Sequence, residues 1–383
     1  MNIAIIGAGP AGIFTSIFLR DLNCSIDLYE KNGEIGKKLK LTGGGKMNIS
    51  NKNFSVESFV SEEKNILRNI FKNPLANKVL SFFDEIGIDY VYEADRAILK
   101  TQDARIEVGR LYDKLYRQKN LSLICDFEVT DIKKLKNKFI INDKEYDVVV
   151  ISPGSRVSYE YIEKLGHSIT DIKPALCPII TNDDVFYGLE GISIECAIKV
   201  LGSKKYYEGN MIFTGQGISG PIVLDATINE IDEGIEINFL PHSNKESFCK
   251  QIDTMRNSKV MLKNLLTQFL PKRLALWHLS ILNINENINI SSLRKSDLNL
   301  LVKNIFTYSL KNIRKTDIKT GWTVRGGIPL NEIIPVSLES KLHKRLYFAG
   351  EVLDVTGLCG GYNISFACLS AKIVSESIKT IPL

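Results

Sequence analysis

Three hundred and eighty-three residues exceed one minimal domain and suit two, at ~100–200 residues each. With 44% hydrophobic, 24% charged and 9% aromatic residues, the chain is neither a disordered polyelectrolyte nor a disulfide-stapled miniprotein. Its net charge of +5, from 49 Lys+Arg against 44 Asp+Glu, says almost nothing about partners until its distribution is known.

Along the chain, the apolar run Ile3–Ile6 ends in Gly7-Ala8-Gly9-Pro10-Ala11-Gly12. A helical pattern follows (Ile13, Phe14, Ile17, Phe18), then a second strand, Ser25–Tyr29, ending at Glu30. Strand, glycine turn, helix and strand, with an acid 18 positions after the third glycine, form a dinucleotide-binding fingerprint. Gly7 permits the tight turn, Gly9 the close approach of a pyrophosphate, and Gly12 helix–strand packing. The helix start offers free N–H groups to phosphate, and Glu30 suits ribose hydroxyls. Residues 60–120 read as mainly helical, with three-and-four spacing at Ile66–Phe71 and Val79–Ile86. Strands are expected at Leu121–Cys125 and Tyr146–Ser152, with a charged meander between them. From Ala175 to Phe239 short strands and turns point to a second, mostly β domain.

Gly215-Gln216-Gly217-Ile218-Ser219-Gly220 also fits G-x-G-x-x-G, but Pro221 follows at once and no acid-ended strand stands at the right distance. A turn in the β domain is the better reading. Helical spacing then dominates residues 245–320, including Leu274–Ile281 and Leu293–Leu310. This stretch carries 14 Lys+Arg against 5 Asp+Glu, a net of +9, so the other 307 residues sum to −4. A basic helical insertion suits a phosphate backbone; solvated faces in a lysine-rich chain are the alternative. The sheet resumes at Arg345–Ala349, and a last helix begins near Asn363.

Seven cysteines without a CxxC pair argue against a disulfide framework or a structural zinc site, so no metal is expected. The apolar start lacks a basic flank and is broken by Gly7, Gly9, Pro10 and Gly12, so it does not read as a targeting segment. No stretch approaches the ~20 apolar residues of a membrane span. A soluble, cytoplasmic protein with no membrane partner is the expectation.

Three further glycine-rich segments carry chemistry. Gly36–Asn48 holds Gly43, Gly44 and Gly45, whose bare N–H groups suit an anion or a flat ring, beside Lys37, Lys38, Lys40 and Lys46. Thr323–Ile328 includes Arg325, Gly326 and Gly327. In the last segment a strand runs into Gly350-Glu351, then a loop, then Gly360-Gly361 opening a helix. Flavoproteins use such a Gly-acid pair to hold a ribityl hydroxyl, while the second helix start faces the flavin edge where charge appears on reduction. Two helix starts serving one dinucleotide imply FAD rather than NAD as the resident cofactor.

These motifs resemble the YhiN/BaiN-type flavoproteins, NAD(P)/FAD-dependent oxidoreductases with members also called RdsA. The segments GAGPAG, KKLKLTGGGKMNISN, LGHSITDIKPALCPI, FTGQGISGPIVL and SKLHKRLYFAGEVLDVTGLCGGYNISFA carry the likeness through almost the whole chain. The resemblance implies an α/β fold: a Rossmann-like FAD-binding domain built from both chain ends, interrupted by a β-barrel-like domain carrying a helical subdomain. The corresponding ranges are 1–178 and 322–383, then 179–244 and 311–321, and 245–310. It also implies that Gly7, Gly9, Gly12, Glu30, Lys38, Gly43, Gly44, Gly45, Asn48, Gly350, Glu351, Gly360, Gly361 and Asn363 line the FAD site. Met47 stands where the family has Cys, Thr323-Val324 reverses its Val-Thr, and Ser152-Pro153-Gly154-Ser155 replaces A-T-G-G, which suggests looser cofactor packing there.

The implied chemistry is hydride delivery from flavin N5 to a C=C bond, after transient docking of NAD(P)H. Tyr362, Cys359 and Arg325 are the catalytic candidates for proton donation or polarisation; simple packing is the alternative for Tyr362, and a small loop residue for Cys359. The resemblance offers two substrates, a uridine of large-subunit ribosomal RNA and a small unsaturated steroid-like metabolite, of which the basic 245–320 insertion favours the RNA. A flavin-binding protein without turnover is the non-enzymatic alternative.

Overall fold

Four consecutive apolar residues, Ile3 to Ile6, cannot alternate between core and solvent, and the computed structural model buries all four. They lie in β1 (Asn2–Ile6), at the heart of a seven-stranded sheet. Beside β1 on one side runs β2 (Ser25–Tyr29), with Ile3 opposite Ile26; on the other runs β4 (Val148–Ile151), with Ile3 opposite Val148. Strand β3 (Leu121–Ile124) extends the sheet beyond β2, and β5 (Leu346–Phe348) extends it beyond β4. These five strands are parallel, and a short antiparallel pair, Ile333–Ile334 with Glu339–Ser340, finishes the β5 side. Helix α1 (Pro10–Phe18) connects β1 to β2 and packs against α3 (Tyr362–Lys379), which is buried along most of its length.

The structure describes residues 1–155, 158–181, 185–318, 321 and 323–382. Met1–Lys173 and Thr323–Leu383 form one unit, and Pro174–Trp322 a second. The boundary expected at residue 322 and the terminal residue 383 lie outside the described residues. Among the described residues no helix is long and apolar enough to cross a membrane.

In the first unit the helices expected between residues 60 and 120 are present at Lys64–Phe71, Val79–Ile86 and α2 (Ala104–Arg117). Between them the helical reading fails. Tyr90–Glu93 and Arg96–Leu99 form a hairpin, turned through Ala94 at φ +55°, and Arg96–Leu99 also pairs with Asn48–Asn51. Aromatic and β-branched residues flanking a short polar turn are the signal for it.

The second unit is built on an antiparallel sheet in the order Tyr308–Leu310, Ile235–Asn238, Ser193–Val200, Tyr206–Thr214, Gly217–Ser219, Ile179–Thr181, Ile313–Lys315. Its two end strands do not pair with each other among the described residues, so the barrel-like expectation resolves into an open sheet. Helices Lys245–Thr254, Leu262–Leu266, Lys272–Ile281 and Lys295–Phe306 share one apolar core with this sheet. The helical pattern expected to reach Leu310 ends at Phe306, because Tyr308–Leu310 pairs with Ile235–Ile237. The second G-x-G-x-x-G is a sheet element: a Cβ on Gly217 would stand 2.3 Å from the Ile179 carbonyl oxygen.

In the first unit the glycine turn is packed as tightly. A Cβ on Gly12 would stand 2.0 Å from the Gly7 carbonyl oxygen, whereas one on Gly44 would meet nothing within 4 Å. Gly12→Ala should therefore lower the urea midpoint by an amount equivalent to about 1–3 kcal/mol of unfolding free energy, or prevent folding. Gly44→Ala, strained only by its φ of +65°, should cost about 1 kcal/mol. Equal midpoints for the two variants would contradict this packing.

Candidate functional site

All five parallel strands deliver their carboxyl ends to the same edge, and the order reverses at β1, whose neighbours β2 and β4 lie on opposite sides. Crevices at such reversals are where open α/β sheets bind ligands. Gly7, Glu30, Ser152 and Gly350 follow directly from the ends of β1, β2, β4 and β5 or one residue beyond.

The turn after β1 is shaped by contacts that admit no side chain. Gly7 has φ +95°, and a Cβ there would lie 2.5 Å from Pro153 Cα. Ser152, which departs from the family pattern, donates its hydroxyl to the Ile6 carbonyl at 3.0 Å, so this strand end is tied down. Helix α1 starts at Gly9 with Pro10 in its first turn and no side-chain cap. A Cβ on Gly9 would face open space. The uncapped start therefore presents backbone N–H groups without steric cover.

Glu30 is buried, and its carboxylate reaches back to that turn. It accepts from the Ala8 N–H at 2.9 Å and from the Asn32 N–H at 2.9 Å. Acid and glycine turn are thereby locked to each other before any ligand arrives.

A second acid, Glu351, stands just past β5 and is largely buried, its side chain 19% exposed. Lys38 Nζ donates to it at 2.7 and 3.0 Å and lies 3.4 Å from Ser155 Oγ. Thr323 Oγ1 donates to the same carboxylate. Burial pushes the Glu351 carboxyl up, but the charge of Lys38 and hydrogen bonds from Lys38, Thr323 and Ser155 outweigh it and hold the group below its ordinary value. Thr323 and Ser155 stood in segments the sequence singled out, but neither was given a role at the site. No spacing rule links them, since the cluster gathers four distant segments.

The loop carrying Lys38 continues through Gly43, Gly44 and Gly45, with φ of +60°, +65° and +91°. Gly43 rests against the Asn48 side chain, while Gly44 and Gly45 face open space. Lys40 pairs with Glu34 at 2.5 Å, and Lys46 lies 3.9 Å from Glu93. Met47 is fully buried.

Near the start of α3, Asn363 accepts from the Gly357 N–H at 2.8 Å and donates to the Gly357 carbonyl at 2.9 Å. Its amide staples the preceding loop to the helix. Gly361, at φ +98°, packs against the Ser50 backbone, and Gly350 lets the end of β5 approach Ala11 of α1. Tyr362 packs its ring on Phe59, with centroids 6.0 Å apart, and Cys359 is half-buried in the loop. Arg325 is half-buried, on a strand that meets the same loop through Thr356, whose hydroxyl donates to the Val324 carbonyl at 2.9 Å.

The buried polar atoms that lack partners among the described residues include the Tyr159 hydroxyl and Asp354 Oδ1. Burial and the nearby Glu351 charge raise the Tyr159 phenol. Burial likewise pushes the Asp354 carboxyl up, although the Glu62 N–H donates to its other oxygen at 2.8 Å. An acid inside the apolar run Val352–Val355 was a visible sign of such a group in the sequence.

Three curated relatives align over essentially the full length. The ribosomal RNA dihydrouridine synthase of Haemophilus influenzae is 28% identical, covering 98% of this chain and 97% of that protein. The 3-dehydro-bile acid delta(4,6)-reductase of Clostridium scindens is 26% identical over 100% of both. The ribosomal RNA dihydrouridine synthase of Escherichia coli K12 is 25% identical over 98% and 97%. Residues 1–377 match the family described as the HI0933-like protein Rossmann domain, from the first strand into the last helix, and the chain belongs to that family.

Proposed function

We propose that this chain is an FAD-dependent oxidoreductase that takes electrons from NAD(P)H and saturates a C=C bond, its substrate a uridine of large-subunit ribosomal RNA. The flavin reading is carried by the carboxyl edge of the parallel sheet, where an uncapped helix start, the buried Glu30 and the largely buried Glu351 meet glycine-rich loops. The residues present fit a dinucleotide. Open space at Gly9, Gly44 and Gly45 leaves room for its phosphates and ring, and the unpartnered Tyr159 hydroxyl and Asp354 Oδ1 are buried polar atoms that a ligand would satisfy.

Gly7, Gly9, Gly12 and Glu30 would hold the adenosine diphosphate half of the cofactor. Lys38, Gly43, Gly44, Gly45, Asn48 and Glu351 would hold the remainder, with Gly350, Gly360, Gly361 and Asn363 shaping the loops around it. When bound, the flavin supplies hydride transfer. The protein's own part is placement and a proton. Arg325 suits polarisation of a substrate carbonyl, and Tyr362 and Cys359 are groups able to hold a proton beside the start of α3.

The RNA reading draws support from two relatives named as ribosomal RNA dihydrouridine synthases and from the excess cations of residues 245–320, among them exposed Lys245, Lys250, Lys272, Arg273 and Lys295. A cytoplasmic place of action accompanies that substrate. The relative named as a bile acid reductase supports a second reading, a small unsaturated metabolite.

Mass spectrometry of ribosomal RNA from a deletion strain separates the two. We expect dihydrouridine to disappear from large-subunit RNA and to return with the intact gene; unchanged dihydrouridine would favour the metabolite. The purified protein should be yellow, and anaerobic NADPH or NADH should bleach it. A colourless protein that cannot be reconstituted with FAD would sink the oxidoreductase reading itself.

Lys38→Ala tests the cluster around Glu351. We expect FAD affinity to fall about tenfold, roughly 1.4 kcal/mol, in a flavin fluorescence titration. Stability should fall by about 1–2 kcal/mol at neutral pH, as a largely buried carboxylate loses its counter-charge. In the parent the Glu351 pKa is depressed, so its contribution holds above the unfolded carboxyl value of about 4.3 and is lost only as pH falls through the lower folded value. In the variant burial prevails and the folded carboxyl takes up a proton more readily than the unfolded one. The variant's deficit in urea midpoint should therefore shrink as pH falls from about 7.5 to 4.5; a constant deficit would contradict this account.

A further inference from the structure

The exposed face of α2 takes no part in the chemistry proposed above. Asp103 caps this helix by accepting the Arg105 N–H at 2.8 Å, and Ala104, Val108, Leu111 and Leu115 bury its inner face. The inner face backs the glycine-rich loop, with Val108 Cγ1 3.1 Å from where a Cβ on Gly36 would stand. On the outer face Tyr112 and Tyr116 are 43% and 78% exposed, and their rings stack at 15° with centroids 6.2 Å apart. At 100° per residue, Arg105 falls in the same row as the two tyrosines, and Arg117 in the adjacent row. Gly109 falls in the tyrosine row and opens onto free space. Arg105, Arg117 and Lys119 are exposed and make no ion pair among the described residues. Asp113 is the only exposed acid of the helix.

Stacked, exposed aromatic rings framed by unpaired cations match a strand whose bases are unpaired and whose backbone is anionic. Residues 245–318 differ, since they present cations while none of their aromatic rings is exposed. They suit phosphates alone. We propose that the outer face of α2 binds single-stranded RNA, with bases stacked on Tyr112 and Tyr116 and phosphates held by Arg105, Arg117 and Lys119. The proposal rests on the RNA reading of the function and adds a surface that grips an unpaired segment of the substrate beside the loop of the flavin site.

The test is fluorescence anisotropy of the FAD-loaded full-length protein with a short fluorescein-labelled single-stranded RNA and the same RNA as a duplex. Tyr112→Ala with Tyr116→Ala should weaken single-strand binding about tenfold or more, and duplex binding much less. Tyr112→Phe with Tyr116→Phe should stay within about twofold of the parent, because a phenyl ring still stacks. Arg105→Ala with Arg117→Ala should lower the slope of log affinity against log salt by about one to two. Unchanged binding in the double alanine variant would overturn the proposal, as would a phenylalanine variant as weak as the alanine one. A parent dimer that the alanine variant turns into a monomer, with RNA binding unchanged, would assign the face to a second copy of the chain and likewise overturn it. Dihydrouridine restored in the deletion strain by an alanine variant that binds RNA like the parent removes this surface and leaves the function standing. A parent gene that restores none removes the function, and the surface with it.

Discussion

A carboxylate held behind a buried strand end costs several kcal/mol unless charge and hydrogen bonds replace the water it loses, and Glu351 meets that requirement only through three other, separated segments. Lys38 comes from the glycine-rich loop, Ser155 from the end of β4, and Thr323 from the point where the chain re-enters the first unit. Each is needed where it is because the carboxylate is largely out of solvent. The cluster therefore fixes the start of a loop whose three glycines have left-handed backbone and could not hold a place by themselves. Glu30 does the corresponding work at β2, where a single acid joins the glycine turn to the strand end through the Ala8 N–H. Two anions inside one unit, each neutralised or hydrogen-bonded by a glycine-rich segment, set the shape of the sheet's carboxyl edge.

Legibility in the sequence followed the range of the interactions. The strands of the parallel sheet were readable because burial on both faces demands continuous apolar runs such as Ile3–Ile6 and Val148–Ile151. The glycine turn was readable because its constraints act within six residues. The Tyr90–Leu99 hairpin was hidden between two helical patterns, and Tyr308–Leu310 was read as helix because its partner strand lies some seventy residues earlier. The same limit applied at the site. Glu351 and Lys38 stand in recognisable motifs, whereas Thr323, Ser155, Tyr159 and Asp354 join them only in three dimensions. Asn363 and Gly350 show the converse. Both sit in ligand-like motifs, and the structure gives each a local task, Asn363 on Gly357 and Gly350 against α1.

Met47, where the resemblance implies a cysteine in most members, shows how the backbone constrains even such a departure. Its φ of +52° costs roughly 1 kcal/mol for a residue with a side chain, so the surrounding contacts must impose it. They do: its N–H donates to the Thr42 carbonyl at 3.0 Å, and its carbonyl accepts from the Leu99 N–H at 3.4 Å. The side chain is then committed to the core, where it is fully buried. A thiol in that environment would have its pKa raised by burial and would be a poor acid or nucleophile. Methionine fills the same space with a flexible apolar chain. Met47 thus ends the glycine loop against the Arg96–Leu99 strand, and a reactive sulfur is not part of that work.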